Sequence, residues 1–138
     1  MKQRIRWLIK KFSPFKIVVR RTSLRGKKKE YLENKGKALA LALSRIEHFN
    51  KIYKVNIGKI NIKNQKTRWG SCSKKGNINF NYKIALLPER LSDYIIVHEL
   101  CHLKEFNHSR KFWDLVSITI PDWLERRSEL KKGLKNTA

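Results

Sequence analysis

His98-Glu99-Leu100-Cys101-His102-Leu103-Lys104-Glu105-Phe106-Asn107-His108 is the stretch from which the rest of this 138-residue chain is best read. His98 and His102 are four residues apart, so on a helix they share one face, separated by about 6 Å of axial rise, and can grip a single metal ion. Glu99 is turned from them by about 100° and flanks the same ion, where a carboxylate can hold and deprotonate a bound water. No helix could carry His108 back to that ion. The chain is therefore expected to turn after His102, with Asn107 as a turning residue because it tolerates the left-handed conformation. Three neutral imidazoles, an open fourth position and an adjacent carboxylate make up the donor set of a catalytic rather than a closed structural site.

The surroundings support that reading. Tyr94, Ile95, Ile96, Val97, Leu100, Cys101, Leu103 and Phe106 make the segment apolar nearly all round, as a buried helix requires. Two histidines and a glutamate inside such a helix are costly to bury without partners or a metal. The third histidine stands at the spacing of the metzincin string, although the glycine of that string is replaced by Glu105. The turn is accordingly expected at Phe106-Asn107. Glu125 and Glu129 are the alternative third ligands, in a gluzincin arrangement. Asp122 and Glu125, however, are spaced as a helix cap and its reciprocal partner, and Glu129 sits among Arg126, Arg127, Lys131 and Lys132 on a solvated face. His108 is preferred, with one Zn2+ per chain.

Composition limits the remaining choices. With 41% hydrophobic residues and four tryptophans the chain reads as one folded domain. It has no apolar run long enough to span a membrane, and no apolar segment follows its basic start as in a secretory signal. A cytoplasmic location is the expectation. Cys72 and Cys101 are too few for a disulfide framework and lack metal-finger spacing. Cys101 reads as a small buried residue. The net charge of +22 favours polyanions, and residues 2–29 carry no acidic side chain. Nucleic acid is therefore a candidate partner, although no helix-turn-helix, zinc-finger, RRM or KH signature is present.

Along the chain, residues 1–30 form a basic leader. Ile5, Leu8, Ile9 and Phe12 make an amphipathic stripe, Ile17-Val18-Val19 a short strand, and Arg25 to Lys29 a solvated loop. A packing helix is expected from about Tyr31 to Tyr53, burying Leu39, Leu43, Ile46, Phe49 and either Ile52 or Tyr53. His48 lies at its surface or core edge. Two alternating strands follow. Val55, Ile57, Ile60 and Ile62 mark one, with Gly58 a candidate bulge; Ile78, Phe80, Tyr82 and Ile84 mark the other, alternating with Asn77, Asn79, Asn81 and Lys83. Thr67 to Gly76 suggests a strand leading into a turn. Leu87-Pro88 breaks the second strand, and Ser92 or Asp93 is placed to cap the motif helix. Ser109 is placed to cap a further helix whose Phe112, Trp113, Leu115 and Val116 pack over the site. Trp123 to about Leu134 makes the last helix, with Leu124, Leu130 and Leu134 apolar.

In this order the pieces resemble a YgjP-like (SprT-type) zinc metallopeptidase domain. The resemblance is carried by Thr67-Arg68-Trp69-Gly70-Ser71-Cys72-Ser73, Ile78-Asn79-Phe80-Asn81, Asp93 to Leu103, Asn107-His108-Ser109 with Phe112-Trp113, and Pro121-Asp122 followed by Arg126-Arg127. It covers about residues 31–134, so the chain divides into a leader, 1–30, and a metallopeptidase domain, 31–138. Many relatives begin instead with a longer β-rich section. The resemblance implies a zincin-like α+β fold: a small sheet packed on the motif helix, with packing helices at both ends. It also implies His98, His102 and His108 as zinc ligands and Glu99 as the catalytic base, acting on peptide or protein substrates.

In that fold Arg68, Trp69 and Gly70 would border the cleft. Trp69 offers a flat wall or, equally, a core anchor, and Gly70 permits close backbone approach. A substrate strand could add there. Tyr82, Arg68 and Arg110 are the candidate oxyanion stabilisers, and Tyr82 a further substrate-binding candidate. The competing reading is a basic nucleic-acid-associated protein with a structural or vestigial zinc, or a protease acting on nucleic-acid-bound proteins. Glu99 argues against a purely structural site, which needs no unliganded carboxylate.

Overall fold

A computed structural model describes the backbone of residues 22–137 and the side chains of 26–132. The amphipathic stripe Ile5 to Phe12, the strand at Ile17-Val18-Val19 and the side chain of Leu134 lie outside the described residues. The elements run α1 (Thr22–Tyr53), β1 (Ile60–Lys63), β2 (Gly70–Cys72), β3 (Ile78–Asn81), a 3₁₀ segment (Tyr82–Leu86), α2 (Glu89–His102), α3 (Arg110–Thr119) and α4 (Trp123–Thr137). The fold is α+β.

α1 starts earlier than the apolar periodicity indicated, so the loop expected at Arg25 to Lys29 is helical. Lys27 and Lys29 are exposed there, and such polar turns leave no periodic mark in the sequence. Its buried stripe is Tyr31, Ala38, Leu39, Ala42, Ile46, Phe49 and Tyr53, at helical spacing. Tyr53, not Ile52, takes the last core position; Ile52 is exposed. The helix ends where Lys54 adopts φ 52° and Asn50 brackets Val55, accepting from its N–H at 2.8 Å and donating to its carbonyl at 3.0 Å. The Tyr53 hydroxyl then donates to the Leu115 carbonyl at 2.7 Å, tying α1 to α3.

The sheet has strand order β1-β3-β2, parallel between β1 and β3 and antiparallel between β2 and β3. Both expected strands are shorter than their alternation. β1 begins only at Ile60, and Gly58 is no bulge: it lies ahead of the ladder, donating its N–H to the Gly76 carbonyl at 2.8 Å. The turn between β2 and β3 forms as expected, with Gly76 at φ +88°, a conformation that suits glycine. β3 stops at Asn81, whose side chain caps the 3₁₀ segment by accepting from Lys83 N–H at 3.0 Å. Tyr82 and Ile84 stay buried because the 3₁₀ segment is packed against α1. Asn81 itself, expected on a polar face, is fully buried, and its amide donates to the carbonyls of Gln65 at 2.7 Å and Arg68 at 3.0 Å. It thereby holds the loop that delivers Arg68 and Trp69.

α2 begins at Glu89 after Pro88, one turn before the caps suggested by the sequence. Ser92 lies inside the helix, buried, with its hydroxyl donating to the Ile84 carbonyl at 2.7 Å. Asp93 receives Arg45 of α1 through two hydrogen bonds of 2.7 and 3.0 Å. α2 is buried on almost every side, with Ile96, Val97, Leu100 and Cys101 fully enclosed. It forms the spine on which the sheet, α1, α3 and α4 all pack.

Candidate metal centre

α2 delivers His98, Glu99 and His102 and ends there, at Leu103 with φ −71° and ψ −16°. The reversal starts at Leu103-Lys104, where the N–H groups of Lys104 and Glu105 both reach the Cys101 carbonyl. The chain bends again at Asn107, which does not use the left-handed conformation; Lys54 is the one non-glycine residue with positive φ among the described residues. Starting the turn at the helix terminus removes the need for the missing glycine. Ser109 caps α3, accepting from Phe112 N–H at 3.5 Å, and so fixes His108 just ahead of it.

The three Nε2 atoms then face one another. His98 and His102 are 3.1 Å apart, His102 and His108 2.9 Å, and His98 and His108 3.2 Å. Zinc held tetrahedrally at about 2.0–2.1 Å from each nitrogen would set these edges at about 3.3 Å. Hydrogen bonding alone cannot satisfy a triangle of three neutral imidazoles, because lone pairs are left facing each other; a shared cation satisfies all three. The residues fit a metal ion. His102 Nδ1–H donates to the Glu105 carbonyl at 3.1 Å, which fixes the tautomer and turns the Nε2 lone pair inward. His98 Nδ1 lies 3.3 Å from the Tyr94 hydroxyl. Phe112 lies against all three rings, stacked on His102 with centroids 4.4 Å apart, and Trp113 stacks on His108 at 5.7 Å. Burial pushes His98 down to about 3, helped by the other two histidines and Arg127, and burial also lowers His102 and His108. All three are thereby held in the neutral form a metal requires.

Glu99 is 6% exposed and has no ion-pair partner among the described residues. Burial raises its carboxyl to about 8, partly offset by the Cys72 thiol beside it. A buried carboxylate with no countercharge is costly unless a cation lies near. Gly70 of β2 is what makes room for it: a Cβ there would stand 3.1 Å from Glu99 Oε2 and 3.0 Å from the Asn79 carbonyl.

A cleft of about 230 Å³ opens beside His98 and Glu99. Arg68, Trp69 and Gly70 border it from the sheet side, as the sequence suggested, and Trp69 is half-buried, both wall and core neighbour. Tyr82 is not brought there: it is 1% exposed in the core, edge-on to Tyr31 at 5.5 Å. Arg110 is exposed and outside the cleft. Glu129 pairs with Arg90, and Glu125 is exposed; neither joins the histidines. Asp122 pairs with Arg126 at 3.1 Å. Leu124 is 61% exposed rather than in the core, while Leu130 is buried. His48 stands apart, exposed against Phe49. Cys101 is fully enclosed and Cys72 half-buried, each thiol raised to about 12, chiefly by burial.

Sequence reasoning missed Tyr94, Arg127 and Lys131 as cleft residues. Tyr94 could have been found, since it stands four residues before His98 on the same helical face. Arg127 and Lys131 could not, because their place depends on how α4 crosses α2.

Compared with known proteins, residues 15–133 match a family model described as YgjP-like, metallopeptidase domain. No curated protein matches. Among solved structures, the chain is similar to the metallopeptidase zymogen of Pyrococcus abyssi abylysin. The TM-score is 0.63 at 28% identity, over 68% of this chain and 95% of that one. A family match running through every element from α1 into α4 makes this chain a member of the YgjP-like family, a metallopeptidase built on a zincin-like α+β fold.

Proposed function

We propose that the chain is a zinc peptidase in which His98, His102 and His108 hold one ion and Glu99 is the general base. The observation that carries this is the convergence of three Nε2 atoms within 2.9–3.2 Å of one another beside a buried, unpaired carboxylate. Bound zinc supplies a water of lowered pKa and polarisation of the scissile carbonyl. The chain's own residues do the rest. Glu99 takes the proton of the attacking water on its carboxylate and returns it to the leaving amine. Such base catalysis contributes about 10²–10⁴-fold. Gly70, having no side chain, leaves the space that the Glu99 carboxylate occupies.

β2 is an edge strand, and an extended substrate is read as pairing along its free edge, with Trp69 as an apolar wall. Arg68, from the loop held by Asn81, is the oxyanion candidate that remains beside the cleft. No helix among the described residues is long and apolar enough to cross a membrane; we read the location as cytoplasmic. Proteolysis of nucleic-acid-bound proteins rests on the net charge of +22. Stimulation of cleavage by DNA or RNA would support it, and indifference to both would remove it.

The direct test is Glu99→Gln in zinc-loaded protein, with an unfolded-protein mixture as substrate. The variant is expected to keep its zinc and lose cleavage by at least about 100-fold. Cleavage at the wild-type rate would refute the assignment of Glu99.

A further inference from the structure

The cleft is cationic out of proportion to its needs. Glu99 is its one acidic wall residue, whereas Arg68, Arg127 and Lys131 all border it. Three nearby acids pair elsewhere: Glu129 with Arg90, Asp122 with Arg126 and Asp93 with Arg45. None of the three cations has a carboxylate partner among the described residues. α4 presents two of them by spacing. Trp123, Arg127 and Lys131 are each four residues apart and so share one face of the helix. Trp123 stacks on Trp113 with centroids 3.9 Å apart, and the Arg127 guanidinium sits 5.7 Å over the Trp113 ring. That stack holds Arg127 at the wall of the cleft, which it lines together with Tyr94 and His98. With no carboxylate partner among the described residues to offset them, these cleft cations are complementary to an anionic group on a ligand.

Resting on the peptidase reading above, we infer that Arg127 and Lys131, with Arg68 opposite, select substrates bearing a carboxylate next to the scissile bond. A planar guanidinium fixed on an aromatic ring suits bidentate capture of a carboxylate, and the flexible ammonium of Lys131 follows it as a point charge. Two sources share that chemistry: an acidic side chain within a peptide, and the free carboxylate at a peptide's end.

The test uses the zinc-loaded full chain and matched peptides. One pair differs by Glu or Gln beside the scissile bond, and the other by a free or amidated C-terminus. kcat/KM is expected to favour the carboxylate member of at least one pair by about 10-fold. Arg127→Glu/Lys131→Glu is expected to abolish or invert the preference. Lys51→Glu, an exposed cation on α1 far along the chain, is expected to leave it intact, which separates a local contact from the overall charge. Binding of the same peptides to zinc-loaded Glu99→Gln, read by tryptophan fluorescence, should give the same order. Preference within the side-chain pair alone assigns the cleft to internal acidic residues, and within the terminal pair alone to chain ends. Equal rates within both wild-type pairs would overturn the inference while leaving the peptidase intact. An equal loss in Lys51→Glu would also overturn it. A 10-fold binding preference with no cleavage of any peptide would sustain the inference and sink the peptidase reading.

Discussion

Replacing Gly70 by alanine should separate catalysis from metal binding. The added Cβ would lie 3.0 Å from the Asn79 carbonyl oxygen and 3.1 Å from both Glu99 Cγ and Oε2. The carbonyl is fixed in the β2–β3 ladder, where Gly70 faces Phe80, so the side that yields is the Glu99 carboxylate. Relief to an ordinary contact needs a shift of roughly 0.5 Å, and misplacement by 1 Å costs on the order of 10²-fold in rate. The expected result is a kcat lowered by about 10-fold, with overpacking taking about 1–3 kcal/mol from stability. The histidines are untouched, so zinc per chain measured by mass spectrometry should equal wild type. Gly36→Ala is the control. Nothing lies within 4 Å of a Cβ there, and alanine in an exposed helix should stabilise by about 0.5–1 kcal/mol without changing the rate. Unchanged turnover by Gly70→Ala would refute the argument that this glycine positions the base.

Losing a ligand should cost more than the 10–100-fold typical of an outer partner, so His108→Ala is expected to weaken zinc by more than about 100-fold in a competition titration. Glu129→Gln should leave zinc affinity unchanged, since its partner is Arg90. Tyr53→Phe leaves the Leu115 carbonyl without its side-chain donor and should cost about 1–2 kcal/mol by urea unfolding. In metal-free protein, Glu99 is raised from 4.5 to about 8, so the folded state holds its proton more tightly than the unfolded one. That contribution is complete below pH 4.5 and is lost as pH rises through 8. Relative to Glu99→Gln, metal-free wild type should lose up to about 5 kcal/mol between those limits, read by chemical denaturation across pH.

The grouping of the three histidines was more legible than the frame around it. That His98 and His102 share a helical face follows from their spacing, and the structure brings His108 to them. Ser109 as a cap and Phe112 as packing were legible for the same local reasons. Strand ends were not, since the alternation of Ile78 to Ile84 continues smoothly while the backbone changes to 3₁₀ at Asn81. Polar residues with tertiary partners misled most. Ser92 and Asp93 resemble caps, yet one is satisfied by Ile84 and the other by Arg45. Arg127 reads as solvent-facing until α4 is seen crossing the cleft.

Anomalous diffraction at the zinc edge from crystals of the zinc-loaded chain tests the central claim most directly. One peak is expected, about 2.0–2.1 Å from Nε2 of His98, His102 and His108, with the Glu99 carboxylate beside it but not bound. A peak ligated by Glu125, Glu129 or Cys72, or one lacking His108, would contradict the account.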